Sequence, residues 1–241
     1  MTTLTKIIVT TLLSLLFLSC NFDLNLNTVQ GNGNVTTVER DISNNFTEIK
    51  TSRGLDVILT QGNELSLIVE ADENLHDIIE TRLEGETLVI TSTENIGRAE
   101  SKTIRLTFRS IERIKSTSGS DVYSTNTIRV EDLELKSTSG SDMELNIQTE
   151  SLTCKSTSGS RLELTGQTST LIAEATSGSE IDARELQANS SRVSATSGSA
   201  ITVNSNKELI AKASSGGDVT YYGDPEKVQT SDGMSGSISK R

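Results

Sequence analysis

Thr138-Ser139-Gly140-Ser141-Asp142 is one of six near-copies of a single phrase. The others begin at Thr117, Thr157, Thr176, Thr196 and Ser214, and the glycines fall at 119, 140, 159, 178, 198 and 216. The steps between those glycines are 21, 19, 19, 20 and 18 residues. A near-constant period of about 20 is the mark of a solenoid, in which each repeat is one coil stacked on the last.

Aligned on the Thr, the flanks of the phrase keep their polarity. Three residues before it stand Ile114, Leu135, Cys154, Ala173, Val193 and Ala211, and five after it Val122, Met143, Leu162, Ile181, Ile201 and Val219. Between these apolar columns lie Lys115, Lys136 and Lys155 before the phrase, and Asp121, Asp142 and Asp218 after it. Period-two alternation on both sides of a Gly-centred bend predicts at least two short strands per repeat. The glycine is expected at positive φ, at a corner where a Cβ would clash. Pro is absent from the repeats, as strands that pair on both edges require. The pattern predicts an all-β chain, a parallel β-solenoid with ~20-residue Ser-Gly-Ser repeats. A flat antiparallel sandwich of repeated hairpins is the rival reading. A disordered Ser/Gly linker would not keep apolar columns in register.

Residues 1–19 carry one charge, Lys6, before an apolar run from Ile7 to Leu18, and close on Leu16-Phe17-Leu18-Ser19-Cys20. The run is too short for a stop-transfer helix and reads as a secretory signal. A small residue followed by Cys at its end resembles the lipobox of bacterial lipoproteins, which implies cleavage and lipid attachment at Cys20. Phe17 departs from the usual Leu of that motif, and ordinary signal cleavage is the alternative. Residues 20–34, rich in Asn, read as a tether, 35–110 as a head or capping β region, and 111–236 as the regular repeats. Within the head, strands are expected near 35–38, 48–51, 56–60, 65–70, 87–91 and 103–109, with one short helix at 74–82. Thr51-Ser-Arg-Gly-Leu-Asp56-Val57 reads as a degenerate early copy of the phrase. After Tyr221-Tyr222-Gly-Asp-Pro225 the last full coil should end, with 230–237 as a partial copy.

Composition narrows the chemistry. The formal charge is −11, which disfavours nucleic acid as a partner. A single His76 leaves no His cluster for a metal site, and no cofactor is expected. Cys154 falls in an inward column and reads as a core thiol. Aromatic residues make up only 3%, and Trp is absent, so stacking platforms for sugars are few.

A family resemblance rests on Gly31-Asn-Gly-Asn34-Val35, Phe46-Thr-Glu-Ile49, Gly54-Leu-Asp-Val57, Leu59-Thr-Gln-Gly62 and Val69-Glu-Ala-Asp-Glu-Asn-Leu75, followed by the Ser-Gly-Ser repeats. In this order they resemble the putative auto-transporter adhesin family with a head GIN domain, common in Bacteroidota. The resemblance spans roughly residues 31–236. It implies a right-handed parallel β-helix-like fold in a secreted or lipid-anchored envelope protein, and it offers no functional residues to carry over.

Three function classes follow. One is a surface binding or adhesin-like module without catalysis, displaying an exposed ladder of Asp121, Asp142 and Asp218 beside Lys115, Lys136 and Lys155. It would bind an extracellular glycan or protein through repeated weak contacts. The second is a ligand-free envelope scaffold. The third is a polysaccharide-active enzyme, in which stacked Asp121 and Asp142 would act together, although repeats of such even length leave no loop to wall a groove. The first is preferred, as an outer-membrane lipoprotein whose surface or periplasmic orientation the sequence leaves open.

Overall fold

A computed structural model describes residues 28–42 and 46–241. Its main body is a parallel β-solenoid of about seven turns, with stacked coils about 19 residues apart. The segment expected to be a secretory signal, Cys20 and most of the expected tether lie outside the described residues.

Alternation in the sequence becomes alternation of burial. In the strand Asp142–Thr157, Met143, Leu145, Ile147, Leu152 and Cys154 are buried, while Glu144, Gln148 and Lys155 are exposed. Inward columns form in the expected register. Ile114, Leu135, Cys154, Ala173, Val193 and Ala211 are successive Cα partners. Val122, Met143, Leu162, Ile181, Ile201 and Val219 are likewise. Each large aliphatic side chain in these columns contributes roughly 1.5–3 kcal/mol of burial. Neighbouring coils supply the walls, so no coil is stable alone.

The regular coils differ from the expectation of two short strands. Arg161–Thr176, Glu180–Thr196 and Ala200–Ser214 each run as one strand from corner to corner. No proline interrupts the ladder, so the strand bends without breaking.

The Ser-Gly-Ser corner is a tight turn with two consecutive left-handed residues. Ser118, Ser139, Ser158, Ser177, Ser197 and Ser215 have φ between 52° and 58°, and the glycines after them between 69° and 77°. Only the glycine was expected at positive φ. A Cβ on Gly119, Gly140, Gly159, Gly178 or Gly198 would meet nothing within 4 Å, so backbone conformation, not crowding, selects glycine. The sheet ladder continues through the bend, since Gly140 N–H donates to Ser158 O at 3.1 Å and Gly159 N–H to Ser177 O at 3.1 Å. The degenerate copy obeys the same geometry, with Arg53 at φ 66° and Gly54 at φ 69°.

Coil order is not chain order at the N-terminal end. Glu48–Thr51 lies between Thr87–Ser92 and Arg113–Thr117, parallel to both. Asp56–Gln61 lies between Lys102–Phe108 and Asp121–Ser124. The chain therefore lays one coil, passes beneath it with the next, and crosses back to launch the regular stack. Antiparallel pairing closes that end: Val35–Arg40 on Ser66–Asp72, Ser66–Asp72 on Lys102–Phe108, and Ile79–Glu84 on Thr87–Ser92. The antiparallel rival is thus realised only here. The helix expected at 74–82 is a single 3-10 turn, Glu73–Leu75, followed by a strand. Ile79 and Thr81 are β-branched and pair with Ser92 and Ile90, which favours the extended chain.

At the other end, pairing continues past Pro225. Lys227–Asp232 aligns with 208–213, and Ser237–Lys240 with 218–221. The closing residues are docked rather than free: Lys240 Nζ reaches Asp224 Oδ1 at 2.7 Å, and Arg241 N–H donates to Tyr221 O.

Candidate binding faces of the solenoid

Two outward charge columns flank the corner. Asp121 aligns with Asp142 on one side and Asp56 on the other, and Asp142 with Arg161, which precedes Glu180. Asp218 stands apart, between Ala200 and Ser237. Burial raises the Asp56 and Asp121 carboxyls, and Asp121 is raised further by Asp56 and Asp142. The Lys102 ammonium, bonded to the Gly54 carbonyl, opposes both shifts. Burial also raises the Tyr123 hydroxyl, and the surrounding carboxylates, Asp121 foremost, add to it. Among the described residues no three His, Cys, Asp or Glu side chains are grouped to hold a metal ion.

Lys115, Lys136 and Lys155 do stack as neighbours. They do not neutralise the aspartates, because the corner puts the two columns on different faces. Lys115 instead pairs with Glu48 at 2.7 Å and Lys155 with Glu174 at 3.3 Å. Arg113 bridges Glu48 at 2.9 Å and Glu134 at 2.8 Å. Burial alone would raise Glu48, but its bonds to Lys115 and Arg113 outweigh that and hold the carboxyl below its ordinary value.

The concave face lies at the far bend of the coil. A groove of ≈ 590 Å³ crosses five successive coils there, from Arg129 to Asn206. Gln148, Gln167 and Gln187 are direct neighbours along it and all are exposed. Beneath them the floor is fixed by hydroxyls: Thr149 Oγ1 donates to Thr168 Oγ1 at 3.0 Å, and Ser169 Oγ to Glu150 Oε2 at 2.7 Å. Gly166, next to Gln167, stands in the column of Ile147 and Leu186, and a Cβ there would sit 2.1 Å from the Ile147 carbonyl oxygen, so glycine permits the close approach of these two coils. A second groove of ≈ 540 Å³ shares Val130 and Glu131 with the first and is walled by Glu112, Arg113, Asp132 and Glu134. Sequence reading singled out none of the three glutamines. The signal was present, since they fall 10, 10 and 11 residues after Thr138, Thr157 and Thr176.

Other chemistry-bearing residues serve the fold. Cys154 is fully buried and burial pushes its thiol pKa up, so it is an inert core group. His76 Nε2 lies 2.9 Å from Thr36 Oγ1. The Gly31-Asn-Gly-Asn34 segment is pinned by Asp72, which accepts from Gly33 N–H at 2.8 Å, Glu100 N–H at 3.0 Å and Ser101 N–H at 2.9 Å. Those backbone donors hold the Asp72 carboxyl below its ordinary value.

Residues 45–225 match the sequence family described as "Putative auto-transporter adhesin, head GIN domain". The chain belongs to this family. No curated protein matches it. Solved structures share the fold at low identity. A putative adhesin from Bacteroides fragilis superposes with a TM-score of 0.82 at 18% identity, covering 88% of this chain and 100% of its own. A putative lipid binding protein from Parabacteroides distasonis gives 0.73 at 25% identity, covering 89% and 100%. A putative adhesin from Parabacteroides merdae gives 0.70 at 17%, covering 89% and 99%. In this head GIN chain the open sheet faces mix charge with part-exposed aliphatics such as Ile172 and Ile210, whereas the far bend offers a row of amides and hydroxyls. Such a row makes and breaks hydrogen bonds repeatedly along one line.

Proposed function

We propose that the protein is a lipid-anchored envelope module that binds an extended ligand at the cell surface without transforming it. The observation that carries this is the groove crossing five coils, where chemically similar side chains recur at the strand spacing of roughly 4.8 Å. Recurring weak contacts along one line suit a chain-like partner, because each bound unit raises the effective concentration of the next. Membership of an adhesin-named family agrees with binding. Five amides line the groove beside the carboxylates Glu131 and Glu150, so most of its path offers hydrogen bonds rather than titratable groups, which favours binding. Cys20 would carry the anchor, and 20–34 would hold the solenoid clear of the membrane. The scaffold reading draws on one observation of its own, the unbroken ladder through every corner, which makes the stack stiff.

Cells making the full chain test this. Radiolabelled palmitate should enter the protein and be lost in Cys20→Ala. Cells with the chain should adhere to polysaccharide-coated surfaces more than cells without it, and should release no new reducing ends from the coating. Equal adhesion with and without the chain contradicts binding and favours the scaffold. Release of reducing ends contradicts the non-catalytic reading.

A further inference from the structure

We propose that the groove from Arg129 to Asn206 is the ligand site and that its ligand is an extended, uncharged glycan chain; this rests on the binding reading above. Three features of the groove select that chemistry. The exposed Gln148, Gln167 and Gln187 amides, with Asn189 and Asn206 beyond them, each offer a donor and an acceptor side by side. Paired donors and acceptors match the neighbouring hydroxyls of a sugar ring, each of which both gives and takes a hydrogen bond. The groove from Arg129 to Asn206 spans about 19 Å over four strand spacings, enough for several linked sugars. The lining carries Glu131 and Glu150 against the single cation Arg129, and the adjoining groove adds Glu112, Asp132 and Glu134 against Arg113. A uronic-acid or sulfated chain would meet net like charge on the first two coils and in the adjoining groove.

The competing classes fit less well. A protein partner would need aromatic or aliphatic anchors with pockets to receive them, and this groove is lined by polar side chains apart from Val130. A small apolar ligand would need the predominantly hydrophobic walls of an enclosed site. The groove crosses five coils and its Thr149 and Thr168 hydroxyls are tied to each other, so a chain can lie lengthwise across the coils.

Affinity electrophoresis of the full chain in detergent tests the assignment. Native gels are cast with hydroxyethylcellulose, dextran or mannan as neutral polymers, and with polygalacturonate as an anionic one. At least one neutral polymer should retard the protein, and polygalacturonate should not. The triple variant Gln148→Ala, Gln167→Ala, Gln187→Ala changes exposed residues only and should keep its unfolding midpoint while losing at least ten-fold in affinity. Gln167→Arg, placed mid-groove, should block binding as fully. Lys136→Ala and Asp142→Ala, on the other faces, should leave retardation unchanged. Retardation by a neutral polymer that the groove variants do not alter overturns the site while leaving the binding reading intact. Stronger retardation by polygalacturonate overturns the uncharged assignment. No retardation by any neutral polymer overturns the inference, and the cell-adhesion result then decides whether the binding reading falls with it.

Discussion

The hydroxyl of Ser160 lies 2.9 Å from the carbonyl oxygen of Ser137, across the boundary between two stacked coils. Ser160 Oγ also accepts from Thr157 N–H at 3.0 Å and lies 2.8 Å from Ser156 Oγ. Ser141, Ser179 and Ser199 repeat the arrangement, each reaching a carbonyl in the coil before at 2.7–3.0 Å. The second Ser of the phrase is therefore a buried rivet, and the first, exposed Ser is conformational. Ser160→Ala leaves a buried N–H and a carbonyl without that partner. It should cost about 1–3 kcal/mol in urea unfolding, whereas Ser158→Ala should stay within about 0.5 kcal/mol.

Two glycines of different meaning give a second prediction. Gly159 has room for a Cβ but a φ of 70°. Gly159→Ala should cost about 1–2 kcal/mol from left-handed strain alone. Gly166→Ala must also push the Ile147 carbonyl away, so its loss should be larger. It should also disturb the groove. Unfolding midpoints of the two variants, measured together, check the order.

The acidic groups predict opposite pH dependences. Asp56 and Asp121 are raised in the folded state, so folding holds protons that the unfolded chain releases. Their effect is to lower stability as pH rises from the unfolded carboxyl value through the raised folded one. Asp121→Asn should thus stabilise at pH 7, by less than about 1 kcal/mol given solvent screening, and lose that advantage near pH 3. Asp72 is lowered, so its contribution is present above the unfolded value and disappears as pH falls through the folded one. Asp72→Asn should destabilise at pH 7 and matter less in acid. Urea midpoints across pH 3–8 separate the two signs.

Cys154 gives a simple probe of the core. Fully buried between Leu135 and Ala173, it should be silent to a maleimide in the native protein and react once denaturant opens the stack. Rapid labelling in buffer would contradict the inward column.

What the sequence made legible was what repeats. The apolar columns through Cys154 and Met143 needed only a period and an alternation, because stacking places equivalent residues one strand apart. The first Ser of each corner was not legible as left-handed, since serine rarely adopts that backbone and only the hydrogen-bonded turn enforces it. Nor was the inverted coil order around Glu48–Thr51, because the crossing back depends on antiparallel contacts such as Leu67 with Leu106 that no period announces. The 74–82 segment carried a helical spacing of Leu75, Ile78 and Ile79, and sheet pairing overrode it. The candidate site was the least legible. Charged columns draw the eye in a sequence, yet the groove's most frequent side chains are uncharged amides, whose shared row only the stacking of the coils reveals.

The measurement that bears most directly on a surface-facing binding module is protease shaving of intact cells, with a periplasmic protein probed alongside as a control. The chain should be cleaved while the control survives, and Cys20→Ala should remove it from the cells. Protection of the chain until the outer membrane is opened would contradict an outward-facing role.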